Sequence, residues 1–201
     1  MKQKADGQSY QLRRVSDFQE DDMVWVGTIR SPSSKGQVSS VSIPHLNRDY
    51  RSIVADNIPG SRILSLSGAS VPVLAANRVS YKGEPIALIV GPNRQRVAEA
   101  VRLSKVVIEE EKPELDFECF DSGREIGRET LVRGDAESIL KKADTVLHAE
   151  YRSSPQDHYY PEPQGAAASF DYDKLVVYTS TQWPFQVRDV VQSVLGVKPD
   201  E

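Results

Sequence analysis

The stretch GEPIALIVGPNRQRVAEAVRLSKVVIEE, residues 83–110, constrains the fold of this chain more than any other. A glycine turn precedes a continuous apolar strand, and residues 86–90 are the longest uninterrupted apolar run present. Asn93 then stands where a side-chain oxygen can cap a helix, and the spacing predicts that helix from residue 94 to about residue 105. Within it Val97, Ala100, Val101 and Ser104 fall on one face, a stripe that needs burial. VVIEE follows at once, so the stretch reads as a strand–helix–strand unit. Gly83-Glu84-Pro85 is read as shaping the approach to the buried strand, because a lone glycine turn is weak evidence for a phosphate site.

Upstream, the first twenty residues are polar and are expected to be flexible. MVWVGTIR reads as a strand, RSPSSKG as a turn and QVSSVSIP as a second short strand. DNIPGSRILSLSGASVP is punctuated by Pro59-Gly60, Gly68 and Pro72, which predicts an irregular connection. Downstream, EEEKPELD and the residues to about 130 read as a charged, extended linker, its acidic run a solvated face rather than a cation site.

A second block opens at GDAESILKKAD, where Asp135 is a plausible helix cap and Ile139, Leu140 and Ala143 supply an apolar side. TVLHAEYR, GAAASFDY and KLVVYTST read as strands, the last two joined by the tight turn DYDK. Pro184 pre-sets a helix start, and Val187, Val190, Val191, Val194 and Leu195 form an apolar stripe ended by Gly196. Such a helix is marginal alone and needs a partner surface.

Composition narrows the functions available. The 201 residues carry a net charge of −4 with both signs interspersed, so the basic footprint of nucleic-acid binding is missing. No apolar run approaches the ~20 residues of a membrane span, and no apolar stretch follows the basic N-terminal residues, so a cytoplasmic location is expected. The single cysteine, Cys119, excludes an internal disulfide or a CxxC metal site and is read as a packing residue. Nucleotide, hydrolase and zinc-protease signatures are absent from the sequence. Asp157, His158 and Glu162 in QDHYYPEPQG invite an acid–base or metal reading. Pro161 and Pro163 argue against the helix that would bring His158 and Glu162 together.

Several stretches together resemble one family. VPVLAANRVSYKGEPIALIVG with the helix and VVIEEE that follow, and GTIRSPSSKGQVSSV before them, resemble the α/β-hammerhead domain of the xanthine dehydrogenase and aldehyde oxidase molybdenum hydroxylases. QDHYYPEPQGAAASF and TSTQWPFQVRDVVQSVLGV resemble the opening of that family's molybdopterin-binding domain. The resemblance covers roughly residues 20–197 and implies an α+β chain. Its expected parts are a flexible N-terminus at 1–20, a hammerhead domain at 21–112, a linker at 113–130 and an incomplete molybdopterin-binding domain at 131–201.

The resemblance implies that the QDHYYPEPQG segment supports the cofactor domain's fold, with His158 and Glu162 as buried hydrogen-bonding residues, and it also assigns one residue. In that family the glutamine of the S-T-Q segment lies beside the molybdenum centre, and the matching position is Gln182. A carboxamide can donate a hydrogen bond to an oxygen ligand there without adding charge; on the residues alone, Gln182 reads instead as a residue that caps or precedes the helix at Pro184. The parent's implied reaction is hydroxylation of an N-heterocycle or aldehyde with water as oxygen source, using a molybdopterin cofactor with molybdenum. The glycine-rich loop and the catalytic glutamate of the family lie beyond Glu201, so this chain is expected to be inactive alone and to bind no cofactor. The remainder of the molybdopterin-binding domain and iron–sulfur and flavin domains or subunits are the expected partners, and an uncovered sheet is expected to make the piece self-associate. A free-standing hammerhead-like binding or scaffold module is the alternative.

Overall fold

The computed structural model describes residues 23–66, 69–115, 128–159 and 164–197. Residues 1–20, Cys119, Glu162 and most of the expected linker lie outside them. In chain order the first part contains β1 (Trp25–Arg30), β2 (Gly36–Ser42), β3 (Arg51–Val54), β4 (Ile63–Leu66), β5 (Ala69–Pro72), β6 (Arg78–Val79), β7 (Pro85–Gly91), helix α1 (Arg94–Leu103) and β8 (Lys105–Glu110).

Strand β7 is the centre of this part. It pairs antiparallel with β1 on one side and β3 on the other, so Leu88 faces Thr28 across one ladder and Ile53 across the next. A second sheet places β2 between β6 and β8, also antiparallel, and β4 pairs with β5 as a separate hairpin. Side chains of β7 alternate between its two faces and enter three cores. Ala87 and Ile89 meet Ile29, Val97 and Ala100 beneath α1, whereas Ile86 meets Ala75 and Val79 against Val38, Val41, Val106 and Ile108 of the second sheet. Leu88 joins Ala55, Ile58 and Leu74 in a third cluster. Burial of both faces explains why residues 86–90 carry no polar residue.

Helix α1 begins as its sequence predicts: the Arg96 N–H donates to Asn93 Oδ1 at 3.0 Å. It lies directly on β1, where a Cβ at Gly27 would stand 2.7 Å from Val101 Cγ2 and 2.8 Å from Val97 Cγ1. The turn before β7 is structural. Gly83 sits at φ +90°, the buried Glu84 carboxylate accepts the Ser80 N–H, and Ser31 exchanges backbone hydrogen bonds with Gly83 and Glu84. The acidic run is paired across the second sheet, Glu110 accepting from Ser33 Oγ at 2.6 Å and Glu111 from Arg78 at 2.7 Å.

One expectation for this part needs correction. The segment 56–72 is not irregular throughout: a 3-10 turn (Ala55–Asn57) leads to the β4–β5 hairpin, whose apolar residues alternate with serines. Strand β3 escapes the sequence pattern because Ile53 is its single half-buried apolar residue and β7 supplies its pairing. The strand–helix–strand unit is present as read, with β7 and β8 in different sheets.

The second part contains α2 (Ala136–Lys142), β9 (Ala166–Asp171), β10 (Lys174–Thr179) and α3 (Pro184–Leu195). Asp135 caps α2 through the Ser138 N–H at 3.0 Å, but Ile139 and Leu140 stay exposed. TVLHAEYR forms no strand: residues 145–152 are exposed and lack a pairing strand among the described residues, and an isolated extended segment has nothing to hold its backbone. β9 and β10 form the expected hairpin, closed by Tyr172 and Asp173. Helix α3 ends where expected, with Gly196 at φ +69° in the left-handed region. Its C-terminal turn reaches the first part, where Val194 packs against the cluster of Ala55, Ile58 and Leu74.

Candidate functional site

The corner between β10 and α3 carries Gln182. Its geometry is built by short-range bonds. Thr179 Oγ1 donates to the Gly165 carbonyl at 3.1 Å, tying the end of β10 to the chain just before β9. The Trp183 N–H donates to Thr181 Oγ1 at 3.0 Å, a hydroxyl-closed turn that places Gln182 at its apex. The Trp183 carbonyl then accepts from the Val187 N–H at 3.1 Å, and Pro184 occupies the first helical position, where its missing N–H costs nothing.

Gln182 is exposed, and so are its neighbours Trp183 and Phe185. One turn along α3, the Arg188 guanidinium lies 5.5 Å from the Phe185 ring centroid and is bonded to Asp189 at 2.8 Å. The corner thus presents one neutral amide beside an aromatic patch. A carboxamide can donate two hydrogen bonds and accept two, yet neither carries charge nor moves a proton at neutral pH.

The other sequence candidates do not converge on it. His158 is exposed rather than buried, in a segment without regular structure, because the described residues supply no sheet to cover it; the Tyr159 N–H donates to Asp157 Oδ1 at 3.0 Å instead. Among the described residues no three His, Cys, Asp or Glu side chains stand close enough to hold a metal ion. A hollow lined by Leu46, Tyr50, Arg51, Ser52, Ile53 and Asn57 includes no residue of the β10–α3 corner.

Known proteins resemble the stretch that contains this corner. The sequence profile of the molybdopterin cofactor-binding domain matches residues 120–201, a span that includes β9, β10, Gln182 and α3. Xanthine dehydrogenase of Dictyostelium discoideum is 27% identical over 84% of this chain and 12% of its own length. The chain is similar in sequence to the xanthine dehydrogenase and aldehyde oxidase family. The nicotinate dehydrogenase large molybdopterin subunit of Eubacterium barkeri is similar across 91% of the chain and 46% of its own length, at 24% identity. In fold the chain is similar to the aldehyde oxidoreductase of Desulfovibrio gigas, with a TM-score of 0.77 over 94% of this chain and 24% of that one, at 18% identity. The chain spans less than half the length of each of these relatives.

The described residues fit a molybdopterin group in one respect. Gln182 offers an uncharged amide at the corner, and among the described residues no three His, Cys, Asp or Glu side chains stand close enough to add a metal site. Sequence reasoning missed the loop at residues 59–61, which binds the far end of α3. Its signal, Pro59-Gly60, had the look of simple turn punctuation.

Proposed function

We propose that this chain is the N-terminal part of a molybdenum hydroxylase large subunit, with an α/β-hammerhead domain at 21–112, a linker at 113–130 and the opening of the molybdopterin-binding domain at 131–201. The supporting observation is the exposed Gln182 amide at the β10–α3 corner, inside the region matched by the molybdopterin cofactor-binding domain. In the complete protein the bound cofactor would take up two electrons as an N-heterocycle or aldehyde gains oxygen from water. Gln182 contributes orientation: its carboxamide donates to an oxygen atom of the cofactor and brings no charge to it. The general base is supplied by another part of the complete protein, and these residues alone do not turn over substrate.

The remainder of the molybdopterin-binding domain covers the exposed face of the second part, and iron–sulfur and flavin domains or subunits carry the electrons away, in the cytoplasm. Among the described residues no helix is long and apolar enough to cross a membrane. Metal analysis tests the reading. The 201-residue chain should purify without stoichiometric molybdenum, and the product of the extended reading frame should hold one atom per chain. A full equivalent of molybdenum in the shorter chain, or none in the longer one, would overturn it.

A further inference from the structure

The last turn of α3 is bound, backbone to backbone, by a loop of the first part. The Gly60 N–H donates to the Val194 carbonyl at 2.9 Å and the Ser61 N–H to the Ser193 carbonyl at 2.7 Å. The Gln192 carbonyl accepts from Gly196 and Val197, so carbonyls that a helix end normally leaves unpaired are satisfied here. The approach leaves no room for a side chain at residue 60. A Cβ there would stand 2.2 Å from the Ser193 oxygen, 2.6 Å from the Gly196 nitrogen and 2.8 Å from the Val194 oxygen, all backbone atoms that cannot rotate aside.

We propose that Gly60 is a positioning residue for Gln182, a role that rests on the reading of Gln182 as a cofactor contact. A two-stranded hairpin and a helix of 12 residues are each marginal alone. Among the described residues, the second part gains its hold on the buried core through Val194, against Ala55, Ile58 and Leu74. The 59–61 loop therefore fixes one end of a rod about 18 Å long. Gln182 stands at the other end, two residues before the first helical position. Loosening the clamp displaces that end, and a shift of about 1 Å at a reacting centre can lower turnover by roughly 100-fold.

Two variants test the clamp in the 201-residue chain by amide hydrogen exchange. In Gly60→Ala the α3 amides at 187–195 should exchange about 10- to 100-fold faster while those of β7 keep their rates. Val194→Ala, which weakens the docking without placing an atom in the helix's path, should accelerate the same amides by less. Unchanged α3 protection in both variants, or equal acceleration throughout the chain, overturns the clamp. In the complete metal-loaded protein Gly60→Ala should lower kcat by about 10-fold with KM within about twofold, and should add little to Gln182→Ala because both act at one corner. Loosened α3 amides with unchanged kcat, or losses that add in full, overturn the positioning role. Unchanged kcat in Gln182→Ala overturns the reading of Gln182 and the positioning role with it, while exchange at α3 still decides the clamp.

Discussion

Arg78 and Glu111 meet across the second sheet, from β6 at one edge to the residue following β8 at the other, with the guanidinium nitrogen 2.7 Å from Glu111 Oε2. That hydrogen bond is the main cause holding the Glu111 carboxyl below its ordinary value and the Arg78 guanidinium above its own. A carboxyl depressed in the folded state binds fewer protons there than in the unfolded chain. Its stabilisation is therefore full above the unfolded pKa and is lost as pH falls through the folded one. Both groups face solvent, so the effect is small and screened by salt. Glu111→Gln should lower the melting temperature slightly at pH 7, and the difference from the parent chain should vanish at strongly acidic pH; a gap that widens on acidification would contradict the pairing.

Ile89 has no exposed surface and stands between α1 and the sheet. Ile89→Ala removes its packing and leaves a cavity that the α1 face cannot collapse to fill, at a cost of about 2–5 kcal/mol, whereas Ile89→Val should cost about 0.5–1.5 kcal/mol. Denaturant unfolding measures both. Equal costs for the two variants would mean that the interior relaxes around the site.

Tyr172 closes the β9–β10 hairpin at φ +56°, a left-handed conformation that disfavours a Cβ and a bulky ring. Its side chain is 97% exposed, so little packing offsets that strain. Asparagine tolerates the region better, and Tyr172→Asn should stabilise the hairpin by up to about 1 kcal/mol. Slower amide exchange in β9 and β10 is the expected readout; faster exchange would show that the ring contributes more than it strains.

The second part leaves Phe170, Trp183 and Phe185 exposed beside a sheet that has two strands among the described residues. Apolar surface of this kind pairs with other chains. The 201-residue chain should self-associate through residues 145–195, and sedimentation should show a mass that rises with concentration. A monomer at high concentration would count against it.

In the complete protein Gln182→Glu should replace a neutral donor with a carboxylate that cannot donate at neutral pH. Loss of a hydrogen bond to a strongly polarised partner is worth about 1.5–3 kcal/mol, so turnover should fall by about 10- to 100-fold or more. The fold should survive, since residue 182 is exposed and outside the packed clusters. Steady-state kinetics beside a melting curve checks both halves of the expectation, and unchanged turnover would remove Gln182 from the site.

Local chemistry alone determined the caps at Asn93 and Asp135, the apolar strand at β7, the hairpin turn at residues 172–173 and the glycine stop at Gly196. Each depends on atoms a few residues apart, so the signal lies within one window of sequence. Gln182 stood out for a different reason, the resemblance of its neighbourhood to a family. The tertiary structure decided what no window contains: that β7 and β8 join different sheets, that β3 forms because β7 offers an edge, and that residues 145–152 remain without a strand partner among those described. It also decided the meaning of Gly60. A glycine required by a turn and a glycine required by a helix arriving from the far end of the chain read alike in sequence, and only the 2.9 Å approach of the Val194 carbonyl separates them.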